Sequence, residues 1–278
     1  MARLDLLDAV NDPGKPGQTG DDRYGFDEVS GRAWVLDGAT DVTPLKPFPQ
    51  FESGAAWYAD TLSAWLLNNP PTGSSDRAYW QTAITAMRAA ADADSELPVD
   101  SLPKEAWPIA SGIYCHLHGS AAEFCWMGDC IAFLKTQEGA VQILGNHEVP
   151  DAETDEAIRL NALSEAEKWE QLRLQRAAAN SGVPHVFGIR PEAAAKVHRQ
   201  TVPAAPGNQI MLMSDGLYRL VDPYQTHTPA ALFDLADTEG LLGLIRALRG
   251  EEGEGGAHAE KRVKRSDDAC GVWVEVSG

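Results

Sequence analysis

Aspartates close a series of short apolar runs along this chain: Gly20-Asp21-Asp22-Arg23, Leu36-Asp37-Gly38-Ala39, Gly128-Asp129-Cys130, Ser214-Asp215-Gly216 and Ser266-Asp267-Asp268. Runs of this length between turn signals read as strands rather than helices. Strand ends can gather at one rim of a sheet core, which would bring acids far apart in sequence together. Carboxylate oxygens are hard ligands suited to Mg²⁺ or Mn²⁺.

The order of the remaining segments narrows the fold. Residues 24 to 29 and Ala33-Trp34-Val35-Leu36 predict two strands turning at Ser30-Gly31, with Asp37 just past a strand end. From Glu52 to Asn69, Trp57, Tyr58, Thr61, Leu62, Trp65 and Leu66 recur at three and four residues, the spacing of one buried helical face. Trp57 and Trp65 read as core packing, and Asn68-Asn69-Pro70-Pro71 stops the helix. A second helix is expected from an N-cap at Ser74 or Ser75, with Trp80, Ile84 and Met87 inward. The runs beginning at Gly112, Glu123, Ile131 and Val141 then predict a meander of antiparallel strands. Residues 151 to 180 turn polar and predict a solvated helix carrying Leu160, Leu163, Trp169 and Leu172 inward, part of a helical excursion at about 150–205. A strand at Ile210 to Met213, a helix at Leu232 to Leu248 and a strand at Val272 to Val276 complete the series. Residues 250–265, acidic and glycine-rich and then basic at Lys261-Arg262-Val263-Lys264-Arg265, predict a flexible loop. The alternative is that this basic cluster holds an anionic substrate. No linker divides the 278 residues, so a single domain over 1–278 is expected.

Composition excludes several partners. No apolar stretch approaches the roughly 20 residues that span a bilayer. The first leucines, Leu4, Leu6 and Leu7, are interrupted by Asp5 and Asp8, unlike a secretory signal. Cys115, Cys125, Cys130 and Cys270 lack Cys-x-x-Cys spacing and lie mostly in apolar runs, which predicts reduced core thiols and a cytoplasmic protein. A formal net charge of −18 argues against nucleic acid and anionic membranes and attracts divalent cations. A monomer is expected.

The ordered set of acidic motifs resembles the metal-dependent Ser/Thr protein phosphatase family, PPM or type 2C, over nearly the whole chain. That resemblance implies an α+β fold, a four-layer α-β-β-α sandwich of two antiparallel sheets flanked by helices. It implies two Mn²⁺ or Mg²⁺ ions at one end, with a weaker third. Carried over by motif, Asp37 would bridge the two ions and the Gly38 carbonyl would bind one of them, while Asp215 and Asp267 would bind the other. Asp21 stands where the motif has a glutamate ligand, Asp22 would hold metal-bound water, and Asp129 would join Asp215 at the third ion. The implied activity is phosphomonoester hydrolysis on phosphoserine or phosphothreonine of a protein such as a kinase target. Two dications roughly 3.5 to 4 Å apart supply hydroxide near neutral pH and neutralise a phosphoryl group in transfer.

Departures from the motifs keep two alternatives open: a pseudophosphatase acting as a regulatory binding module, and a small-molecule phosphatase. Ala39 replaces the histidine that many members place after Asp-Gly as a proton donor to the leaving group. Gly17 stands where a phosphate-binding arginine is usual, leaving Lys15 or Arg23 as substitutes. Cys130, Ile131 and Cys270 also depart from the usual residues. His116 and His118 can share one strand face as a metal pair, but no third ligand at suitable spacing accompanies them. Alanine at position 39 removes the Asp-x-Asp pair of haloacid dehalogenase-like enzymes, and no phosphate-binding loop with lysine and serine is present.

Overall fold

The structure, a computed structural model, describes residues 2–15, 17–146, 158–183, 185–253 and 266–278. One antiparallel sheet contains β1 (Arg3–Asp12), β6 (Ile131–Lys135), β7 (Val141–Gly145), β10 (Gln209–Met213) and β11 (Ala269–Ser277), in the order β1-β11-β10-β6-β7. The other contains β2 (Arg23–Asp27), β3 (Arg32–Gly38), β4 (Ile109–His118), β5 (Ala121–Met127) and β9 (His198–Pro203), in the order β2-β3-β4-β5-β9, with β8 (Phe187–Gly188) beside β4. The helices are α1 (Gly54–Asn68), α2 (Arg77–Asp94), α3 (Glu165–Ala179), α4 (Asp215–Tyr218), α5 (Pro229–Glu239) and α6 (Leu241–Glu251).

Two-residue alternation assigns the layers. On β3, Ala33 and Val35 face the other sheet, while Trp34 and Leu36 face α1 and α2. On β4, Ile113 and Cys115 point inward and Tyr114 outward. The second sheet mirrors this, with Ile210, Leu212, Val272 and Val274 inward and Met211, Met213 and Trp273 packed under α5 and α6. The result is the expected α-β-β-α sandwich. By the same alternation Asp37 falls on the face of Ala33 and Val35, so its carboxylate opens the end of the space between the sheets.

Several local differences from the sequence reading have physical causes. Asp37 lies within β3, paired with Ser111, rather than just past its end. β1 was not foreseen, because a bulge between Leu6 and Asp8 breaks its alternation. Asp8 is turned by that bulge to accept from the Leu241 amide at 2.8 Å, at the start of α6. The expected meander changes sheets at Gly128-Asp129-Cys130: β5 pairs with β4 and β9, whereas β6 pairs with β10 and β7. α2 is capped by Asp76, which accepts from the Ala78 and Tyr79 amides, rather than by Ser74 or Ser75; the Ser75 amide donates to Glu123 instead. The helix expected over Leu232 to Leu248 is two helices, divided at Gly240, whose φ of 67° ends the first. Within 150–205, β9 is a strand on the sheet edge beside β5. Its polar, mostly exposed residues satisfy one neighbour only and carry no apolar alternation. Residues 147–157 and 254–265, including the basic cluster, lie outside the described residues. The four cysteines are free and buried, as expected. Among the described residues no helix is long and apolar enough to cross a membrane.

Arg32 ties the hairpin to α1. Its fully buried guanidinium donates to the Leu66 and Leu67 carbonyls at the end of α1, and to Asp27 at 2.5 Å and Ser30 at 2.5 Å. Partial burial pushes the Asp27 carboxyl up, but Ser30 and Arg32 prevail and hold it below its ordinary range. Removing one partner of such a buried pair costs about 3 kcal/mol. Urea unfolding at pH 7 should therefore show Arg32→Met destabilised by about that amount. Because the Asp27 carboxyl is depressed, its share of the stability is present above the usual carboxylate range and is lost as acid protonates it. A loss that is negligible at pH 7, or that does not shrink in acid, contradicts this assignment.

Candidate metal centre

Strand ends and connections from both sheets converge on one end of the sandwich. Asp21 and Asp22 precede β2, Asp37 ends the inward face of β3, and Asp129 sits in the sheet-changing turn before β6. Asp215 opens α4 directly after β10, and Asp267 and Asp268 lead into β11. Two motif glycines let these backbones touch. A Cβ on Gly38 would stand 2.6 Å from the Asp21 carbonyl, and one on Gly216 would stand 1.9 Å from the Asp268 carbonyl. Asp-Gly is therefore required at these two places by close approach of neighbouring chain, beyond any turn preference. Ser214 adds a clamp, its amide donating to the Cys270 carbonyl and its hydroxyl accepting from the Cys270 amide, each at 3.0 Å.

The convergence encloses a cavity of about 590 Å³ lined by Asp22, Asp37, Asp129, Asp215, Asp267 and Asp268. Burial, followed by the neighbouring carboxylates Asp22 and Asp215, pushes the Asp37 carboxyl well above its ordinary value. Its side chain lies within hydrogen-bonding reach of Asp215. Burial also pushes up Asp22, against a hydrogen bond from Ser214 and with help from Asp268, Asp215 and Asp267. Asp129 looks into the open cavity, yet loss of water on its other sides and the charge of Asp215 push it up to about 6. Ser111 opposes that shift with a hydrogen bond.

Two arginines, Arg219 buried and Arg249 half-buried, steady the late acids, and the sequence reading missed both. Arg219, four residues after Asp215 and so on the same side of the turn, approaches Asp267 at 3.2 Å, Asp215 at 3.8 Å and buried Glu252 at 3.8 Å. Arg249 joins Glu252 and Asp12, each at 2.6 Å, and donates to the Asp267 carbonyl at 2.9 Å. The spacing of Asp215 and Arg219 was a signal available in the sequence. The contact between Arg249 and Asp267 depends on tertiary packing and left no local trace. Asp268 was also missed as a cavity residue; its carboxylate accepts from the Asp21 amide.

One face of α3 covers the cavity with Glu165, Lys168, Trp169, Leu172, Gln175 and Arg176. The helix expected to present an ordinary solvated face thus forms the roof. Trp169 is half-exposed along it rather than buried in the core, while Leu160 is buried as expected. Other expected site residues lie apart from this space. Asp21 faces a neighbouring cavity of about 350 Å³ that Asp267 and Asp268 also line, and Ser53 donates to its carboxylate. Lys15 lines only that second cavity. Arg23 lines neither; it pairs with Asp60 at 2.5 Å and donates to the Gly20 and Asp22 carbonyls. Gly38 lines the main cavity beside Asp37.

The donor set fits hard divalent ions. Six aspartates and Glu165 line the cavity, against Lys168 and Arg176 as the lining cations among the described residues and Arg219 behind Asp215 and Asp267, so the protein compensates the acids only in part. Asp22 Oδ2 is buried without a hydrogen-bond partner among the described residues. Asp37, Asp129 and Cys130 bring ligand atoms within 4.8 Å of one another. Burial and these same acids push the Cys130 thiol up, so oxygen rather than thiolate sulfur is the available donor. His116 and His118, with ring centres 6.1 Å apart, gain no third ligand among the described residues.

Comparison with known proteins agrees with this architecture. The catalytic domain of the serine/threonine protein phosphatase PstP, in complex with two manganese ions, aligns at a TM-score of 0.59 with 14% identity, covering 100% of both chains. The Mycobacterium tuberculosis phosphatase PstP/Ppp aligns at 0.61 with 13% identity over 99% of this chain and 100% of its own. RsbX in complex with magnesium aligns at 0.50 with 12% identity over 100% of both chains. No curated protein matches the sequence. The sequence family described as Protein phosphatase 2C matches residues 15–241, and this chain belongs to that family.

Proposed function

We propose that this chain is a metal-dependent phosphomonoester hydrolase acting on phosphoserine or phosphothreonine in proteins, with two Mn²⁺ or Mg²⁺ ions held at the acidic end of the sandwich. The observation that carries this reading is the meeting of Asp22, Asp37, Asp129, Asp215, Asp267 and Asp268 around one cavity. Asp37, Asp215, Asp267 and the Gly38 carbonyl would hold the paired ions, and Asp129 with Asp215 a weaker third. Asp21 would act from the adjoining cavity. When bound, such ions lower the pKa of coordinated water and offset charge on a phosphoryl group.

The protein's own groups do the positioning. Asp22, with its free buried Oδ2, is the acceptor that would orient solvent within the site. Arg219 and Arg249 hold Asp267, and the Ser214 clamp fixes the start of α4. Val42, Ile109, Trp169 and Leu172 form an apolar wall beside the acids, which suits side chains flanking a phosphorylated residue. That wall supports a peptide substrate over a small polar metabolite.

Turnover of para-nitrophenyl phosphate should require Mn²⁺ or Mg²⁺ and stop on chelation. Asp37→Asn and Asp215→Asn should each lower kcat on the order of 10²-fold or more. Because each change removes a like charge from a crowded cluster, thermal unfolding of the metal-free variants should be unchanged or shifted upward. Variants as active as the wild type at saturating Mn²⁺ would falsify the reading. Absence of any metal-dependent turnover in the wild type favours the binding-module alternative, while preference for sugar or nucleotide phosphates over phosphopeptides favours the small-molecule one.

Ala39 sets a second expectation. It presents a methyl group to the cavity where a proton donor would assist a poor leaving group, and such assistance is worth about 10²- to 10⁴-fold. kcat for an aryl phosphate should exceed that for a phosphoserine peptide, and Ala39→His should narrow the gap. Equal kcat on the two substrates in the wild type contradicts the assignment.

A further inference from the structure

Arg176 is a charged group of the cavity lining that does not contact the acids. It projects from the roof helix α3 into the acidic cavity and is only 7% exposed. Despite six aspartates on the cavity wall, no carboxylate among the described residues comes within ion-pair distance of it. Its recorded hydrogen bonds both use Nη2, to the Ala39 carbonyl at 3.2 Å and the Thr40 carbonyl at 2.9 Å. Burial lowers its pKa, and the opposing influence comes from Asp41 and Asp21, not from a partner in contact. A guanidinium nevertheless stays protonated in proteins. A desolvated cation left without a counter-ion is costly, and an anion entering from the cavity would supply the missing partner.

The tether also sets where that anion would lie. Ala39 and Thr40 directly follow Asp37 and Gly38, so Nη2 is pinned beside the segment that brings Asp37 to the site. Nε and Nη1 make no hydrogen bond among the described residues, and Arg176 lines the cavity. We propose that Arg176 is the residue that binds the substrate's phosphoryl oxygens, a role the sequence alone had offered to Lys15 or Arg23. Neither of those fits the cavity: Lys15 lines the neighbouring space, and Arg23 is engaged by Asp60 and two carbonyls. The phosphate-binding cation therefore comes from the roof rather than from the segment before β2. Placing it there makes phosphate affinity depend on the seating of α3 over the acids.

This assignment rests on the phosphatase reading, and the test separates the two. Arg176→Gln and Arg176→Lys would be compared with the wild type in Mn²⁺. Titration calorimetry measures inorganic phosphate binding without turnover, a separate titration measures Mn²⁺ affinity, and steady-state kinetics on para-nitrophenyl phosphate gives KM and kcat. Loss of charge-assisted bonds should weaken phosphate binding and raise KM about 10- to 100-fold in Arg176→Gln, with Mn²⁺ affinity and the thermal midpoint unchanged. Arg176→Lys should recover part of the affinity, since it keeps the charge and loses the fork. Unchanged phosphate affinity and KM in Arg176→Gln overturn the assignment while leaving the phosphatase reading intact. Concurrent loss of Mn²⁺ affinity or of the fold in both variants also overturns it, because Arg176 would then only brace residues 39–40. A wild type that binds phosphate through Arg176 yet shows no metal-dependent turnover sinks the phosphatase reading and leaves the binding site standing.

Discussion

Repulsion among carboxylates is the constraint around which this molecule is organised. Asp22 is buried and Asp37 half-buried near Asp215, and each is pushed well above its ordinary value by lost hydration and by neighbouring charge. A fold gains nothing from gathering such groups unless cations compensate them. The protein supplies only part of that compensation, through Arg219 at Asp215 and Asp267. The inner acids are left for ions from solution, and a chain with a formal net charge of −18 draws such ions toward it.

The sandwich exists at the strength needed to enforce that arrangement. Its central core, from Ala33 and Val35 across to Ile210, Leu212, Val272 and Val274, locks the two sheets face to face. Their ends then have little freedom to separate. Close backbone approach at Gly38 and Gly216 removes what freedom remains. Packing thus offsets the electrostatic cost, and the rigid core is what lets the acids remain together before any ion arrives. The roof is built differently, with most of α3 solvated and its capping box at Ser164 and Glu167 supplied locally. The proposed phosphate-binding group therefore sits on a helix in which it is the one buried residue.

Much of this was legible in the sequence because strand alternation and motif order are local signals. Trp80, Ile84 and Met87 mark the buried face of α2, and the five acidic motifs mark the rim. What could not be read depends on distant partners. β9 carries polar residues because an edge strand satisfies one neighbour, and its Arg199 is held by Glu123 of β5. Arg176 was hidden in a helix whose charges suggested a solvated face with only apolar residues turned inward. Its clue was position, since it falls on the same stripe as Trp169 and Leu172. Arg23 misled for the opposite reason: its place beside Asp22 in sequence suggested the site, but Asp60 of α1 turns it away.

Anomalous diffraction from crystals grown in Mn²⁺ tests the central claim most directly. The account predicts two strong manganese peaks roughly 3.5 to 4 Å apart, within coordination distance of Asp37, with Asp215 and Asp267 on one of them. A map with no manganese among these carboxylates, or with Asp37 turned away from a lone ion elsewhere, would contradict it.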